Sequence, residues 1–277
     1  MNGSNVQQAE AINARMYRFD RAHAPLASAA EFTDDHVRQY REQGFVAIEG
    51  MLAPDEAEAC IAAIMELIKD PEPKAKIQFT RPQGELATAE ERELAVRKVY
   101  DYVDAHPALH AAAFHPAIGA VVEKLLGEPA MLAQDQALLK PPYGGGEKPW
   151  HQDMAYGNLS YEKAVVGVWI ALDEAGLDNG CMHVVPGSHA DGANPHYAVR
   201  DWQLCDANVA VDRDVAVPLK PGGALFFHGL LHHGTPFNVS AKRRRALQFH
   251  YAPAPSGKLS PGEYKRMFMN EMTSAEC

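Results

Sequence analysis

The sequence predicts a mainly β fold of the sandwich or jelly-roll type, buttressed by helices from the N-terminal half. Helical periodicity dominates up to about residue 130, whereas residues 131–255 are short β-rich runs separated by turns such as Pro-Pro-Tyr-Gly-Gly-Gly. No helix of crossover length separates most of these runs, so the strands are expected to pair mainly antiparallel.

Capping and turn residues define the elements of the first half. Thr33 is predicted to begin a helix that ends at Gly44, and residues 45–48 then form a brief strand. Pro54 opens a second helix, whose apolar residues recur at helical spacing, and Thr88-Ala-Glu-Glu is a capping box for a third. The run HPALHAAAFHPAIGAVVEKLLGEP supplies one or two more helices.

The second half contains the strands of the predicted core. They are expected in the runs MLAQDQALLK, AVVGVWIAL, CMHVVPG, VAVPLK, GALFFH and RALQFHYAP. We assign the whole chain, residues 1–277, to one domain, composed of an extended N-terminal arm (1–30), a mainly helical support (31–130), the jelly-roll core (131–255) and a C-terminal tail (256–277).

Composition restricts the class of partner. A net charge of −10 argues against nucleic acid, and the one basic run, Lys242-Arg243-Arg244-Arg245, is too short to reverse that. The four cysteines lack CxxC spacing and are predicted to be reduced thiols. Neither a signal peptide nor an apolar run long enough for a membrane span is recognisable, so we expect a cytoplasmic enzyme without membrane contact.

The stretch KPWHQDMAYG contains a candidate metal site. His151 and Asp153 lie at i and i+2, and in an extended strand such side chains share one face while Gln152 points away. Two imidazoles and one carboxylate on one face are the ligands of many non-haem Fe(II) oxygenases. With 13 His and 36 acidic residues, such a triplet also arises by chance, and His189-Ala-Asp191 is a second one.

A third ligand has to come from a distant strand. The run GGALFFHGLLHHGTPFNVSAKRRRALQFHYAP offers His228, His232 and His233, of which the two adjacent histidines cannot both face the ion. An arginine from the basic run that follows would complete such a site, because a guanidinium binds a carboxylate in a bidentate manner that lysine cannot reproduce.

With these residues in place, the sequence resembles the phytanoyl-CoA dioxygenase family of Fe(II)/2-oxoglutarate-dependent oxygenases. The resemblance extends from residue 41 to about residue 253. Its specific marks are Trp-His-Gln-Asp at 150–153, Asp-Asn-Gly-Cys at 178–181, Val-Pro-Gly-Ser-His at 185–189, and His-Gly-Thr at 233–235 with Arg244 following. It implies a double-stranded β-helix (jelly-roll, cupin-like) barrel.

The resemblance also implies the roles of individual residues. It favours His233 over His232 because the family's histidine directly precedes a glycine, eleven residues before the arginine that binds the distal carboxylate of 2-oxoglutarate. The implied Fe(II) ligands are His151, Asp153 and His233, and the implied 2-oxoglutarate site comprises Arg244, Thr235, Trp169, Lys98 and Gln136.

Further residues are candidates for substrate contact. Gln134 and Lys140 match pocket positions of the family, and the segment with Met154, Tyr156 and Tyr161 is predicted to lie over the metal as a lid. Gln248 and His250 share a strand face with Arg244 and are expected to border the pocket or to find polar partners.

Structural roles explain the other polar residues. His189 follows a Pro-Gly-Ser turn and is expected to brace that loop, and His228 is expected to be a core histidine. His232 is expected at the surface or behind the metal ligands, and core packing is kept as the alternative for Trp169. Arg243 and Arg245 are expected to be solvated.

The implied activity is oxidation of an unactivated C–H bond, with O₂ and 2-oxoglutarate as co-substrates and succinate as a product. The expected substrate is a small hydrophobic metabolite or an acyl-CoA. Asp153 points to hydroxylation or another oxidative step, since related halogenases lack this carboxylate. Two alternatives remain open: a metal-dependent jelly-roll enzyme without 2-oxoglutarate, and a non-catalytic binding barrel.

Overall fold

The computed structural model describes residues 3–272 and residue 277. Seven α-helices lie in this part of the chain, and four of them begin with a proline in the first turn. They are α1 (Gly3–Met16), α2 (Asp34–Gln43), α3 (Pro54–Lys69), α4 (Ala89–Ala95), α5 (Pro107–Ala113), α6 (Pro116–Leu126) and α7 (Pro261–Phe268).

The strands form three sheets. They are β1 (Phe45–Ile48), β2 (Lys76–Phe79), β3 (Val96–Tyr100), β4 (Ala130–Lys140), β5 (Lys148–His151), β6 (Val166–Ala171), β7 (Met182–Val184), β8 (His196–Ala198), β9 (Trp202–Leu204), β10 (Val215–Val217), β11 (Ala224–His228), β12 (His233–Thr235) and β13 (Arg244–Pro253). A seven-stranded sheet has the order β1-β11-β6-β13-β4-β3-β2, a four-stranded sheet has the order β10-β7-β12-β5, and β8 pairs with β9.

Alternation along the strands divides the core into two layers. On β11, Phe226 belongs to the hydrophobic cluster that the large sheet forms with helices α2, α3, α5 and α6, whereas Leu225 and Phe227 belong to a second cluster. That second cluster also contains Met182 and Val184 of the small sheet, so it lies between the two sheets. The order helices, large sheet, small sheet is therefore a consequence of the two-residue period of a strand.

These observations confirm the predicted fold class. The pairings of the named strands are all antiparallel, as the lack of crossover helices indicated. Within residues 3–272 the strands form separate facing sheets, and we describe the fold as a jelly-roll sandwich. Because helices α2, α3, α5 and α6 share one hydrophobic cluster with the large sheet, we propose that the chain is a single domain.

Three details differ from the expectations. Residues 1–30 were expected to be extended, but α1 occupies much of this segment and its last residue, Met16, packs against Trp150 and Val185. The helical support contributes two further strands to the large sheet, β2 and β3, besides the predicted strand β1. Two of the four cysteines, Cys205 and Cys277, form a disulfide, so the prediction of four free thiols is wrong for this pair. In the part of the chain that the structure describes, no helix has both the length and the apolar character needed to cross a bilayer.

Candidate active site

Three predicted ligands converge at the open edge of the small sheet. His151 is the last residue of β5, and the antiparallel register places it opposite His233, the first residue of β12. Asp153 follows at the start of a 3₁₀ turn. One ligand atom from each of these side chains lies within 4.8 Å of the others, and all three residues are buried. The geometry suits a single metal ion bound by two imidazoles and one carboxylate.

Gln152, between two of the ligands, holds the chain in the required conformation. Its side-chain nitrogen donates to the carbonyls of Gly192 and Leu230, and its side-chain oxygen accepts from the backbone N–H of Asn194. Its own backbone N–H donates to Nε2 of His196 at 3.0 Å. Gln152 therefore points away from the site, as its position between i and i+2 predicts, and anchors both neighbours.

Backbone carbonyls orient the two imidazoles. Nδ1 of His151 lies 2.8 Å from the carbonyl oxygen of Pro149, and Nδ1 of His233 lies 2.9 Å from that of Leu231. A proton on each Nδ1 leaves each Nε2 with a free lone pair directed at the site. Burial, assisted by His233 nearby, lowers the pKa of His151 to about 3. The imidazole is therefore held in the neutral form that binds metals.

The two oxygens of Asp153 have different environments. Oδ1 lies 3.3 Å from Nε2 of His151 and 3.5 Å from Nε2 of His233, at the candidate metal position. Oδ2 accepts hydrogen bonds from Nε2 of Gln248 at 3.0 Å and from Nε2 of His250 at 2.7 Å. Burial acts to raise the pKa of Asp153, but the surrounding imidazoles and hydrogen bonds outweigh it and hold that pKa well below its ordinary value. One oxygen is thus available for a metal, and the other is fixed by β13.

Arg244 forms a buried cationic subsite next to the metal position. Its guanidinium donates to the carbonyls of Gly180 and Leu138 and lies 5.3 Å from the ring centroid of Trp169. Burial lowers the pKa of Arg244 to about 10, which still leaves it protonated at neutral pH. No acidic side chain among the described residues forms an ion pair with it. A buried, unpaired guanidinium is costly, and a carboxylate of a bound molecule would remove that cost.

Lys140 lies beside Arg244 but has no proton to offer a ligand. Its Nζ donates to the carbonyls of Gly146 at 2.5 Å, Pro236 at 2.6 Å and Thr235 at 3.4 Å, which accounts for all three ammonium hydrogens. These hydrogen bonds tie the loop after β4 to the loop after β12. Lys140 also lines the cavity that contains the metal ligands, so its contact with substrate stays a prediction.

A cavity of about 260 Å³ connects the metal position, Arg244 and the solvent. Most of the residues singled out from the sequence line it. The lining includes Lys98, Gln134, Gln136, Lys140, His151, Asp153, Tyr156, His233, Thr235, Arg244 and Gln248. The sequence analysis missed Arg97, Tyr100, Lys148, Asn158 and Met182, which also line it. Arg97 adjoins Lys98, and Lys148 begins the ligand strand β5, but the sequence contains no signal that brings these two segments together.

Four predicted site residues lie outside this lining. Met154 and Tyr161 pack with Ala155 and Phe268 in a separate hydrophobic cluster, away from the cavity lining. This corrects the expectation that both contact substrate. Trp169 lies behind Arg244, against its guanidinium, and therefore supports the pocket without forming its wall. His250 reaches the site through Asp153 and lies next to Gln248.

The remaining histidines have structural roles. Nε2 of His189 lies 3.0 Å from the carbonyl oxygen of Arg41, near the end of α2. This contact agrees with the expected role of His189 in bracing its loop. Nδ1 of His228 accepts from the backbone N–H of Leu230. His232 is buried at 5% exposure, so the surface alternative for it is wrong.

The arginines that flank Arg244 are paired. Arg245 donates to both oxygens of Asp173, and Arg243 forms an ion pair with Glu93, which corrects the expectation that both are solvated. The resemblance had selected Arg244 by its spacing from His233. Arg244 is the buried arginine among the three.

Facing antiparallel sheets, two imidazoles and a carboxylate at one point, and a buried guanidinium beside them define the class of jelly-roll non-haem iron oxygenases that use 2-oxoglutarate. A profile of the phytanoyl-CoA dioxygenase family matches residues 40–246, and the chain belongs to this family. It is an Fe(II)/2-oxoglutarate-dependent dioxygenase.

Individual relatives agree with this membership. Phytanoyl-CoA dioxygenase domain-containing protein 1 of Danio rerio is 25% identical over 270 residues, covering 83% of this chain and 93% of the relative. Among solved structures, the non-haem α-ketoglutarate-dependent carbocyclase SnoK from nogalamycin biosynthesis is 26% identical with a TM-score of 0.65, covering 85% of this chain and 90% of that one. EvdO2 from Micromonospora carbonacea var. aurantiaca, complexed with 2-oxoglutarate, shares the fold at 23% identity and a TM-score of 0.64, covering 83% and 94%.

Proposed function

We propose that this dioxygenase binds Fe(II) through His151, Asp153 and His233, binds the distal carboxylate of 2-oxoglutarate through Arg244, and oxidises a C–H bond of a small metabolite. The observation that carries the proposal is the pairing of two features in one cavity. Three buried ligand atoms lie within 4.8 Å of one another, and an unpaired buried guanidinium lines the same space.

The donor set fits the metal. Neutral imidazole nitrogens and a carboxylate oxygen suit Fe(II), and ligands gathered on one side leave the opposite side open for co-substrates. The polar groups behind the ligands also fit, since each ligand has a partner that fixes its orientation. When bound, the iron would activate O₂, which is the oxidant: one oxygen atom would enter succinate as 2-oxoglutarate loses CO₂, and the other would oxidise the C–H bond of the substrate.

Arg244 fits one end of the co-substrate. Its guanidinium is held by the carbonyls of Gly180 and Leu138, so it does not need to reorganise when a carboxylate arrives. Thr235 lines the cavity beside it, where its hydroxyl can assist in binding that carboxylate. Gln136 and Lys98 line the same cavity, and we propose that they also contact 2-oxoglutarate.

The size of the cavity supports a small substrate. At about 260 Å³ it lies near the lower limit of ligand pockets, and 2-oxoglutarate must occupy part of it. We therefore propose a small metabolite over an acyl-CoA, with Gln134 and Tyr156 among its contacts. The cytoplasmic location and the absence of nucleic-acid partners stay predictions.

The experiment is anaerobic addition of Fe(II) and then 2-oxoglutarate, observed by visible absorption. We expect a weak charge-transfer band from the iron–2-oxoglutarate chelate, and slow succinate formation when O₂ is admitted. A metal enzyme that does not use 2-oxoglutarate would bind iron without producing this band, and a non-catalytic barrel would produce neither signal. Either result would contradict the proposal.

A further inference from the structure

Three cationic side chains form one wall of the cavity, and we name this wall the basic wall. Arg97 and Lys98 are adjacent on β3, and Lys148 begins β5, the strand that ends at His151. All three line the cavity that contains the metal ligands. The chain as a whole has a net charge of −10, so this concentration of cations does not follow from its composition.

One carboxylate forms ion pairs with two of these cations. Oδ2 of Asp201, just before β9, lies 2.5 Å from Nη2 of Arg97 and 2.9 Å from Nζ of Lys148. Nζ of Lys148 also contacts the hydroxyl of Tyr156. Lys98 forms no ion pair with any described residue, and its Nζ lies 5.7 Å from the ring centroid of Tyr100. The basic wall thus has three cationic side chains and, among the described residues, one carboxylate paired with them.

The co-substrate does not remove this surplus. In the proposed site one carboxylate of 2-oxoglutarate faces the metal and the other faces Arg244. Even if Lys98 is counted with the co-substrate, Arg97 and Lys148 share the single carboxylate of Asp201. The wall therefore keeps more cations than anions when both the metal and 2-oxoglutarate are present.

The electrostatic cost of this arrangement is visible at Lys98. Burial, with Lys148 and Arg97 close by, lowers the pKa of Lys98 to about 7. A group that loses its proton so readily is one whose charge lacks compensation, and such groups concentrate at binding sites. An anion bound at the wall would restore the ordinary charge state of the lysine.

We infer that the substrate carries an anionic group, a carboxylate or a phosphate, that binds to the basic wall while its apolar part extends towards the metal. The inference rests on the proposed function and specifies its substrate class. Leucine and methionine side chains, Leu138, Leu159 and Met182, line the same cavity and suit the apolar part. The fork of Arg97 suits either type of oxyanion.

Matched acids and amides test this inference. The enzyme is loaded with Mn(II) and 2-oxoglutarate without O₂, and the probes are hexanoic, octanoic and decanoic acids, their primary amides, and the alkyl phosphates of the same lengths. Binding is measured as Mn(II)-induced broadening of the probe's proton NMR signals. We expect at least one acid or phosphate to bind about tenfold more tightly than the amide of equal length, the effect of roughly one charge-assisted hydrogen bond. Comparison of acids with phosphates identifies the preferred oxyanion.

Substitutions in the basic wall test whether the preference for acids over amides arises there. Arg97→Gln and Lys148→Gln are each expected to remove most of the difference between acid and amide. The matched controls Arg38→Gln and Lys242→Gln make the same charge changes in exposed ion pairs far along the chain, and should preserve the difference. An equal effect of wall and control variants would show a general charge effect and would overturn the inference.

Two further outcomes would overturn it: amides that bind as tightly as acids and phosphates, and no binding of any anionic probe across the series. Both are distinguishable from failure of the proposed function, because the chelate band of the wild-type enzyme with Fe(II) and 2-oxoglutarate does not require a substrate. If the chelate band forms but the enzyme binds acids, phosphates and amides equally well, the inference of an anionic substrate is wrong. The assignment as a 2-oxoglutarate-dependent oxygenase would still hold.

Discussion

Nε2 of His250 lies 2.7 Å from Oδ2 of Asp153, while the other carboxylate oxygen, Oδ1, lies 3.3 Å from Nε2 of His151. The carboxylate is thereby held between β13 and the metal position. Gln248 adds a second hydrogen bond to the same outer oxygen at 3.0 Å. His250 and Gln248 are positioning residues, since they act on the metal site through Asp153.

Loss of these hydrogen bonds should weaken metal binding. We expect His250→Ala to lower the affinity for Co(II), used as a spectroscopic substitute for Fe(II), by about 10–100-fold, because partners behind metal ligands typically contribute this much. Gln248→Ala should have a smaller effect, as its bond is longer. The measurement is titration of the Co(II) absorption bands.

A second variant separates this role from folding. His250→Gln places an amide donor at the same position and should recover part of the affinity that His250→Ala loses. Thermal unfolding of each apo variant reports whether the fold is intact. Unchanged Co(II) affinity in a folded His250→Ala protein would contradict the positioning role.

Asp153→Ala should weaken metal binding and abolish succinate formation. Among the described residues the carboxylate is the one anionic member of the candidate ligand set, and its loss leaves two imidazoles. The matched control is Asp191→Ala in the second His-x-Asp triplet, His189-Ala-Asp191, which lies outside the cavity lining. Succinate formation by Asp153→Ala at the wild-type rate would refute the ligand assignment.

Arg244→Lys should weaken 2-oxoglutarate binding by about tenfold or more while Fe(II) binding persists. Lysine keeps the charge but loses the planar fork that binds a carboxylate through two hydrogen bonds. The dissociation constant is read from titration of the chelate band. Arg243→Lys, on the neighbouring residue that pairs with Glu93, serves as the control. Equal affinities in the two variants would exclude Arg244 as the carboxylate partner.

Stability should fall in acid through His196. Nε2 of this buried imidazole accepts a hydrogen bond from the backbone N–H of Gln152, and Nδ1 lies 2.9 Å from the carbonyl oxygen of Asn194. Because Nε2 accepts a hydrogen bond, it carries no proton, and His196 is neutral in the native state. Burial lowers the pKa of His196 to about 3. The unfolded chain, with an ordinary pKa of about 6.5, binds the proton first, so the free energy of unfolding decreases as pH falls from about 6.5 towards 3.

Thermal unfolding between pH 7.5 and 4 measures this effect. His196→Gln, which does not titrate, should show a shallower fall in Tm over the same range. Some dependence will remain, since burial also lowers the pKa of His228 and of His232 to about 4. Parallel Tm curves for wild type and variant would rule His196 out as a source of acid sensitivity.

Local features of the site were predictable from the sequence. His151 and Asp153 share a face because a strand has a period of two, and Gln152 points away for the same reason. The capping box at Thr88 correctly located the start of α4. The third ligand and Arg244 were not accessible to such arguments. The resemblance to the family selected both, and the register between β5 and β12 brings His233 opposite His151.

The basic wall and the clamp on Asp153 could not be predicted in the same way. Arg97 and Lys148 are 51 residues apart in the numbering, and Asp201 is a further 53 residues along the chain. Their meeting depends on the order of strands in two sheets and on where the loops between them turn. Met154 and Tyr161 lie outside the cavity lining for a related reason, because they pack with Phe268 of α7, which is distant in the sequence.

By itself the sequence determined most helices and core strands and the chemistry available on them, because periodicity, capping and turn preference act over a few residues, whereas α1, β2 and β3 were missed. Only the tertiary structure decided which polar side chains share one cavity, which cations lack partners and which oxygen of Asp153 is free for the metal. These properties arise from contacts between strands distant in sequence, whose pairing depends on packing of the whole core and on no local signal.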